Sequence, residues 1–124
     1  MKRRYPAATF VHFTELLTTV DESFLKGGLK KILGRGQFKN NVVRNRYNRL
    51  LKKTYSGTDP VFDIAYYESI SSVTGKVSAG RGLDGKMYRS LSKDNSSDGG
   101  HLNESGKRWV AENLLVFLAS LDGQ

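Results

Sequence analysis

Cysteine is absent from this chain of 124 residues, and proline occurs only twice. Without cysteine the chain has no disulfide framework, zinc–thiolate centre, iron–sulfur cluster or thiol nucleophile. Long apolar segments are missing too, because the longest apolar run, Leu114 to Ala119, is far too short to span a bilayer. The basic start Lys2-Arg3-Arg4 resembles a signal peptide, but Pro6 and Glu15 interrupt the stretch after it, so we expect no signal sequence. A chain without cysteine is compatible with both oxidising and reducing compartments.

Acidic residues are scarce in the first half of the chain. Residues 1–60 hold 13 Lys and Arg against 4 Asp and Glu, a net charge of +9, whereas residues 61–124 hold 7 against 8, a net of −1. One hypothesis is therefore a small basic module that binds nucleic acid or another polyanion. Its candidate residues are Lys26, Lys30, Lys31, Arg44, Arg46, Arg49, Lys52 and Lys53. Few aromatic residues are interleaved with them, which makes nucleic acid the less favoured ligand, and a solvated helix face is the structural alternative.

The first half of the chain predicts a strand followed by a helix. Residues 8–13 are β-branched and aromatic, which is typical of a strand buried on both faces. Residues 15–24 form either a short helix or a loop, and the glycines between residues 27 and 36 predict mostly loop with one helical turn. A helix capped by Asn40 or Asn41 should then run to about Thr54. Its predicted buried stripe is Val43, Tyr47, Leu50 and Leu51.

The second half predicts a second strand, a long loop and a final helix. Residues 61–65 form the strand, which completes a βαβ unit over about residues 8–65 with parallel strands and a right-handed crossover. Residues 66–97 show no period and are predicted as loop, often a functional surface. Asn103 can cap a helix that runs to about Leu121. Its predicted buried stripe is Val110, Leu114, Phe117, Leu118 and Leu121.

An acid and an imidazole lie just ahead of that last helix. Asp98 precedes His101 by three residues, and Gly99 and Gly100 between them permit a tight turn. The carboxylate can then hold one ring nitrogen, which fixes the tautomer and leaves the other nitrogen free to accept a proton from a hydroxyl. This spacing also arises by chance. The alternative is a turn in which Asp98 caps backbone amides and His101 is a solvent-facing linker residue.

A resemblance to a known family strengthens the catalytic interpretation. Residues Asp98 to Gly106, followed by an amphipathic helix, resemble the last sequence block of SGNH hydrolases, the GDSL-type esterases and lipases. In that family an Asp-x-x-His pair near the C-terminus supplies the orienting acid and the general base. Asp59 to Ser69 is similar to a Phe-Asp-(Ile/Leu)-Ala…Glu-Ser-Thr stretch of one bacterial branch, with Ile70 in place of Thr. Val11 to Leu17 is similar to the strand that ends in a Thr-x-Pro-Leu loop, with Leu16 in place of Pro.

The resemblance implies an α/β fold: a partial three-layer αβα (flavodoxin-like SGNH) arrangement with a short parallel sheet and a C-terminal helix. Residues 1–124 would form the C-terminal portion of one SGNH-like domain, with the Asp–His turn and terminal helix at 98–121. The implied activity is ester hydrolysis by a Ser-His-Asp triad, with catalytic Asp98 and His101, an ester substrate, and neither a metal nor an organic cofactor.

The nucleophile of that triad is missing. The chain has no Gly-Asp-Ser block, no Gly-x-Asn-Asp block for the oxyanion donors and no Gly-x-Ser-x-Gly elbow. Ser69, Ser96 and Ser97 are poor substitutes, because Ser69 fits the structural Glu-Ser stretch and the other two adjoin the turn itself. We therefore expect a truncated or split gene product that needs a separate N-terminal half and is inactive alone.

Three other polar residues have weaker interpretations. His12 lies inside the first predicted strand and is expected to be packed or edge-facing rather than catalytic. No residues have the spacing of metal ligands, so no metal site is predicted. Asp63 and Glu68 are expected to shape the loop after the second strand, without an assigned chemistry.

Overall fold

The computed structural model describes residues 8–20 and 30–122, except for the side chains of residues 30–39. The architecture mixes helices with short strands, as the predicted α/β class requires. In chain order the elements are β1 (His12–Phe13), α1 (Lys30–Tyr55), β2 (Val61–Phe62), α2 (Ile64–Ser69), β3 (Ala79–Arg81), β4 (Met87–Arg89), a 3-10 turn (Lys93–Asn95) and α3 (Glu104–Leu121). Within the described residues, no helix combines the length and apolar character needed to cross a membrane.

Strands β1 and β2, which precede and follow α1 along the chain, form the predicted parallel pair. His12 lies opposite Val61 and Phe13 opposite Phe62. Both strands are shorter than expected. The second ends early because Asp63 caps α2 by accepting a hydrogen bond from the Tyr66 N–H at 3.2 Å. The prediction that residues 8–13 are buried on both faces is wrong, since Phe13 is 48% exposed; in the described part of the chain β2 is the one strand that pairs with β1.

Helix α1 begins much earlier than the sequence predicts. It starts at Lys30 and continues through Gly34 and Gly36, so Asn40 and Asn41 are interior residues and not caps. Glycine costs about 1 kcal/mol in a helix interior, which is a preference that neighbouring residues can outweigh. Residues 15–20 form a loop that follows β1. The remainder of the predicted segment 15–24, with Lys26, Gly27 and Gly28, lies outside the described residues.

The predicted buried stripe of α1 is also wrong. Val43, Tyr47 and Leu50 are 56%, 51% and 62% exposed, and Leu51 is only half-buried. A helix presents residues four and seven positions apart on one face, so Val43, Tyr47 and Leu50 form one exposed apolar line. The helix therefore contacts the rest of the protein through its opposite face.

That opposite face is built from three asparagines, each of which pairs with the backbone of one distant residue. The Asn41 amide accepts from the Thr18 N–H at 3.0 Å and donates to the Thr18 carbonyl at 2.7 Å. Asn48 pairs in the same way with Glu15, at 2.6 and 3.0 Å, and Asn45 with Arg89, at 3.2 and 2.9 Å. The three amides hold α1 against the loop after β1 and against β4.

We expect Asn41→Ala to destabilise the protein by about 2–4 kcal/mol. Asn41 is fully buried, so its removal deprives the Thr18 N–H of this acceptor and leaves the Thr18 carbonyl with the Leu91 N–H as its remaining backbone donor. Urea unfolding measures the change in the free energy of unfolding. Asn40→Ala is the matched control, because Asn40 is exposed on the same helix. Equal stability of the two variants would show that the amide pairing contributes little.

Residues 66–97 are not the continuous loop that the sequence predicts. They contain the end of α2, the antiparallel hairpin β3–β4 and the 3-10 turn. Backbone hydrogen bonds hold this segment in place: the Leu91 N–H donates to the carbonyl of Thr18, in the loop after β1, at 3.0 Å, and within the segment the Ser92 N–H donates to the Glu68 carbonyl at 2.9 Å. Backbone contacts of this kind do not involve side chains, so they leave no apolar period in the sequence of the segment.

Helix α3 is the element that the sequence predicts best. Asn103 caps it, accepting from the Gly106 N–H at 2.8 Å, and the helix ends at Leu121. Of its predicted stripe Val110 is buried, Leu118 is 40% exposed, and the other three residues are half-buried. The small core beside it consists of Leu17, Ala65 and Leu91, with Leu102 packed against them.

Candidate functional site

The Asp98 carboxylate makes contacts through both of its oxygens. Oδ1 accepts hydrogen bonds from the backbone N–H groups of Gly100 at 2.8 Å and His101 at 2.7 Å. Oδ2 lies 2.7 Å from Nδ1 of the His101 ring. The two alternatives left open by the spacing are therefore both present: Asp98 caps backbone amides and also holds the imidazole.

These contacts fix the charge of Asp98 and the tautomer of the neutral His101 ring. The amides of Gly100 and His101, followed by the His101 ring, hold the pKa of the Asp98 carboxyl well below its usual range. An ionised carboxylate can only accept, so Nδ1 of the ring carries a proton. The His101 side chain is 89% exposed, and Nε2 has no hydrogen-bond partner among the described residues. In the neutral ring Nε2 is then an unprotonated acceptor that faces solvent.

Gly99 joins this turn to the loop that follows β1. Its φ of +85° is a conformation that residues with a side chain rarely adopt. Its carbonyl accepts from the Thr19 N–H at 2.9 Å, and an added Cβ would lie 2.8 Å from the Thr19 hydroxyl oxygen. Glycine is required here both for the backbone angle and for the close approach of Thr19.

Ser96 supports the turn from inside. Its hydroxyl donates to the His101 carbonyl at 2.6 Å and accepts from the Gly99 N–H at 2.9 Å. Both of these hydrogen bonds join the Ser96 hydroxyl to backbone groups of the turn. No serine or threonine hydroxyl among the described residues makes a hydrogen bond to the His101 ring. Among the described residues, the structure brings Asp98 and His101 together and places no serine or threonine hydroxyl against the ring.

The buried side chain of Asn95 supports the turn, and no sequence pattern indicates this structural role. It is fully buried, donates its amide hydrogens to the carbonyls of Glu68 and Ile70, and accepts from the Ser72 N–H. A Cβ at Gly106 would lie 2.5 Å from the Asn95 carbonyl, so the first turn of α3 needs glycine to pack against it. Asparagine is mostly exposed in proteins, so the sequence gives no reason to expect a buried Asn95.

Glu68 is a buried carboxyl close to this anchor. It is 3% exposed, and its Oε2 accepts from the Leu17 N–H at 2.9 Å. Burial raises the pKa of Glu68 to about 7, although the Leu17 hydrogen bond and the Arg44 charge oppose the shift. The sequence assigns no chemistry to Glu68. The structure shows that it links the loop after β1, through Leu17, to the base of the Asp98–His101 turn, through Asn95.

The other candidates lie apart from the Asp98–His101 turn. His12 stacks on Tyr55 with ring centroids 3.7 Å apart, and its Nε2 lies 3.6 Å from the Asp59 carboxylate. No hydrogen bond or ring contact joins it to Asp98 or His101 in the described part of the chain. Across residues 8–20 and 30–122, no three His, Asp or Glu side chains are grouped as metal ligands.

The basic residues are partly neutralised by ion pairs. Arg46 pairs with Asp84 at 3.2 Å, and Lys52 pairs with Asp63. Arg49 and Lys53 are exposed and Arg44 is half-buried. Of the remaining candidates, Lys26 and the side chains of Lys30 and Lys31 lie outside the described residues.

The turn is thus an acid–imidazole pair with a defined tautomer, an accessible acceptor nitrogen and a rigid support. Searches of protein-family models, curated proteins and solved structures find no significant match to this chain.

Proposed function

We propose that this chain supplies the acid–base half of an SGNH-type ester hydrolase, with Asp98 and His101 as its catalytic residues. The observation that carries the proposal is the 2.7 Å contact between Asp98 Oδ2 and His101 Nδ1, with Nε2 left open to solvent. The βαβ order, the short parallel sheet and the capped terminal helix are compatible with part of a three-layer αβα fold of that family.

The proposed reaction is acyl transfer to a serine carried by a segment outside this chain. His101 Nε2 accepts the serine proton while the serine oxygen attacks the ester carbonyl. The ester C–O bond then breaks, and the imidazolium returns the proton to the departing alcohol. Water hydrolyses the acyl-serine in the same way. Asp98 keeps the ring in the required tautomer and stabilises its positive charge. The proposed steps need no metal or organic cofactor.

The exposure of the ring supports the need for a second segment. A general base works when it lies within hydrogen-bond reach of its proton donor and is shielded from bulk water. His101 is supported rigidly on the backbone side, yet its ring is 89% exposed. A segment that carries the serine and the oxyanion donors would cover this ring.

The experiment is a fusion that restores the missing blocks. The N-terminal part of an active SGNH esterase, with its Gly-Asp-Ser block and oxyanion donors, is placed ahead of residue 8 of this chain. We expect hydrolysis of a short-chain aryl ester, reduced about a thousandfold by His101→Ala because the proton acceptor is lost. His12→Ala is the matched control, since it removes the other histidine of the chain.

Two outcomes contradict the proposal. One is a fusion that melts cooperatively but does not hydrolyse the ester, and the other is hydrolysis that His101→Ala leaves unchanged. The unfused chain should not turn over the ester. Turnover by the unfused chain that His101→Ala abolishes would show that its own hydroxyl groups include the nucleophile.

A further inference from the structure

The exposed side of α1 combines an apolar line with a strong positive charge. The line consists of Val43, Tyr47 and Leu50, each more than half exposed. The 26 residues of the helix include nine lysines and arginines and no acidic residue. Such a helix repels most other basic surfaces and attracts anionic ones at long range.

Cationic residues border the apolar line. From the helical repeat of 100° per residue, Arg46 and Lys53 lie on one side of the line and Arg44 on the other. Arg46 and Lys53 are exposed, and within the described part of the chain neither Lys53 nor Arg49 has an ion-pair partner. The asparagine face on the opposite side of the helix is fixed to the protein, so the apolar line cannot turn inward.

We propose that this face of α1 binds the surface of a membrane rich in anionic lipids. The helix lies along the interface, with Val43, Tyr47 and Leu50 inserted at the boundary between headgroups and acyl chains. Lys53 contacts lipid phosphates, and the exposed Arg49, further around the helix, reaches them through its long side chain. Tyrosine suits this depth, because its ring is apolar while its hydroxyl stays hydrated. The proposal does not depend on the ester-hydrolase assignment.

The arrangement favours a lipid surface over the two other ligands that the charge would allow. Nucleic acid phosphates would attract the cations but would leave Val43, Tyr47 and Leu50 without apolar partners. A second copy of the chain could cover these three side chains, but it would bring two helices without acidic residues face to face. A membrane offers both negative charge and an apolar layer at the same surface.

The test is sedimentation of the full chain with lipid vesicles. One set contains phosphatidylcholine alone, and the other contains equal parts of phosphatidylcholine and phosphatidylglycerol. We expect binding to the anionic vesicles in low salt, with an affinity at least about tenfold higher than for the neutral vesicles. High salt should weaken this binding, because it screens the headgroup charge.

Variants separate the apolar and the charged contributions. Leu50→Asp should weaken binding to anionic vesicles about tenfold, and Tyr47→Ser is a second variant that should have the same effect. Leu115→Asp is the matched control, because Leu115 is 66% exposed on α3. The double change Arg49→Glu with Lys53→Glu should weaken binding at least as much. Lys76→Glu with Lys86→Glu makes the same change of charge at exposed positions elsewhere.

Several results would overturn the proposal. The first is no binding to anionic vesicles in low salt, and the second is binding that tracks total charge, so that both double variants lose it equally. Binding of a random oligonucleotide that displaces the vesicles and does not respond to Leu50→Asp would indicate a nucleic-acid surface instead. A dimer in solution that Leu50→Asp dissociates would assign the same face to contact between copies.

Discussion

Asp98→Asn should lower ester hydrolysis by the fused enzyme about a thousandfold or more while leaving the turn folded. The asparagine oxygen can occupy the position of Oδ1 and still accept from the N–H groups of Gly100 and His101. Its amide nitrogen then faces Nδ1 of the His101 ring and donates to it. The ring must shift its proton to Nε2, so the nitrogen that should accept the serine proton is already protonated.

The tautomer can be measured directly on the unfused chain. Long-range proton–nitrogen NMR spectra of the neutral rings distinguish a proton on Nδ1 from one on Nε2. We expect the Nδ1–H form for His101 and its replacement by the Nε2–H form in Asp98→Asn. His12 is an internal comparison, because its ring stacks on Tyr55 away from the Asp98–His101 turn and its signals should not change in Asp98→Asn. A His101 ring that is Nε2–H in the unmodified chain would contradict the geometry on which the hydrolase proposal depends.

The residues around this turn predict a turn and a capped helix, and they leave the contact between Asp98 and the His101 ring as one of two alternatives. Two glycines between an acid and a histidine, followed by asparagine and a run of helix-forming residues, specify a turn and a capped helix without reference to the rest of the chain. Asn103 and the extent of α3 are confirmed for that reason. The parallel pairing of β1 with β2 followed from the order of strand and helix segments, which is again a local pattern.

The orientation of α1 could not be predicted in this way. Hydrophobic periodicity assigns the apolar side of a helix to the protein interior, and here that assignment is inverted. Asn41, Asn45 and Asn48 face inward because the loop after β1 and the strand β4 present unpaired backbone groups to the helix. A side-chain amide satisfies one donor and one acceptor at once, whereas an aliphatic side chain would satisfy neither. That need arises only after the distant segments have come together.

The same limit applies to Glu68, whose burial no sequence pattern indicates. The carboxyl sits between the Leu17 N–H and the core, with the Arg44 charge near it, and few charged residues are buried in this way without a full ion pair. Its folded-state pKa of about 7 lies above the value of 4.5 for an exposed glutamate. Between those two values the folded protein binds a proton that the unfolded chain has released.

Glu68 should therefore make the protein less stable as the pH rises. Its contribution is fully present below pH 4.5 and is lost as the pH rises through about 7, by about 3 kcal/mol in all. Glu68→Gln keeps the shape of the side chain and an oxygen that can accept from the Leu17 N–H, but it cannot ionise. We expect the variant to match the unmodified protein near pH 4.5 and to exceed its unfolding free energy by about 2–3 kcal/mol at pH 8.

Urea unfolding at several pH values between 4.5 and 8 measures this difference. All other titrating groups are common to the two proteins, so the divergence of the two curves reports Glu68 alone. Glu112→Gln is the control, because it makes the same substitution at a glutamate that is exposed on α3. Parallel curves for Glu68→Gln and the unmodified protein would mean that Glu68 is ionised in the fold, held by Leu17 and Arg44 more strongly than burial opposes it.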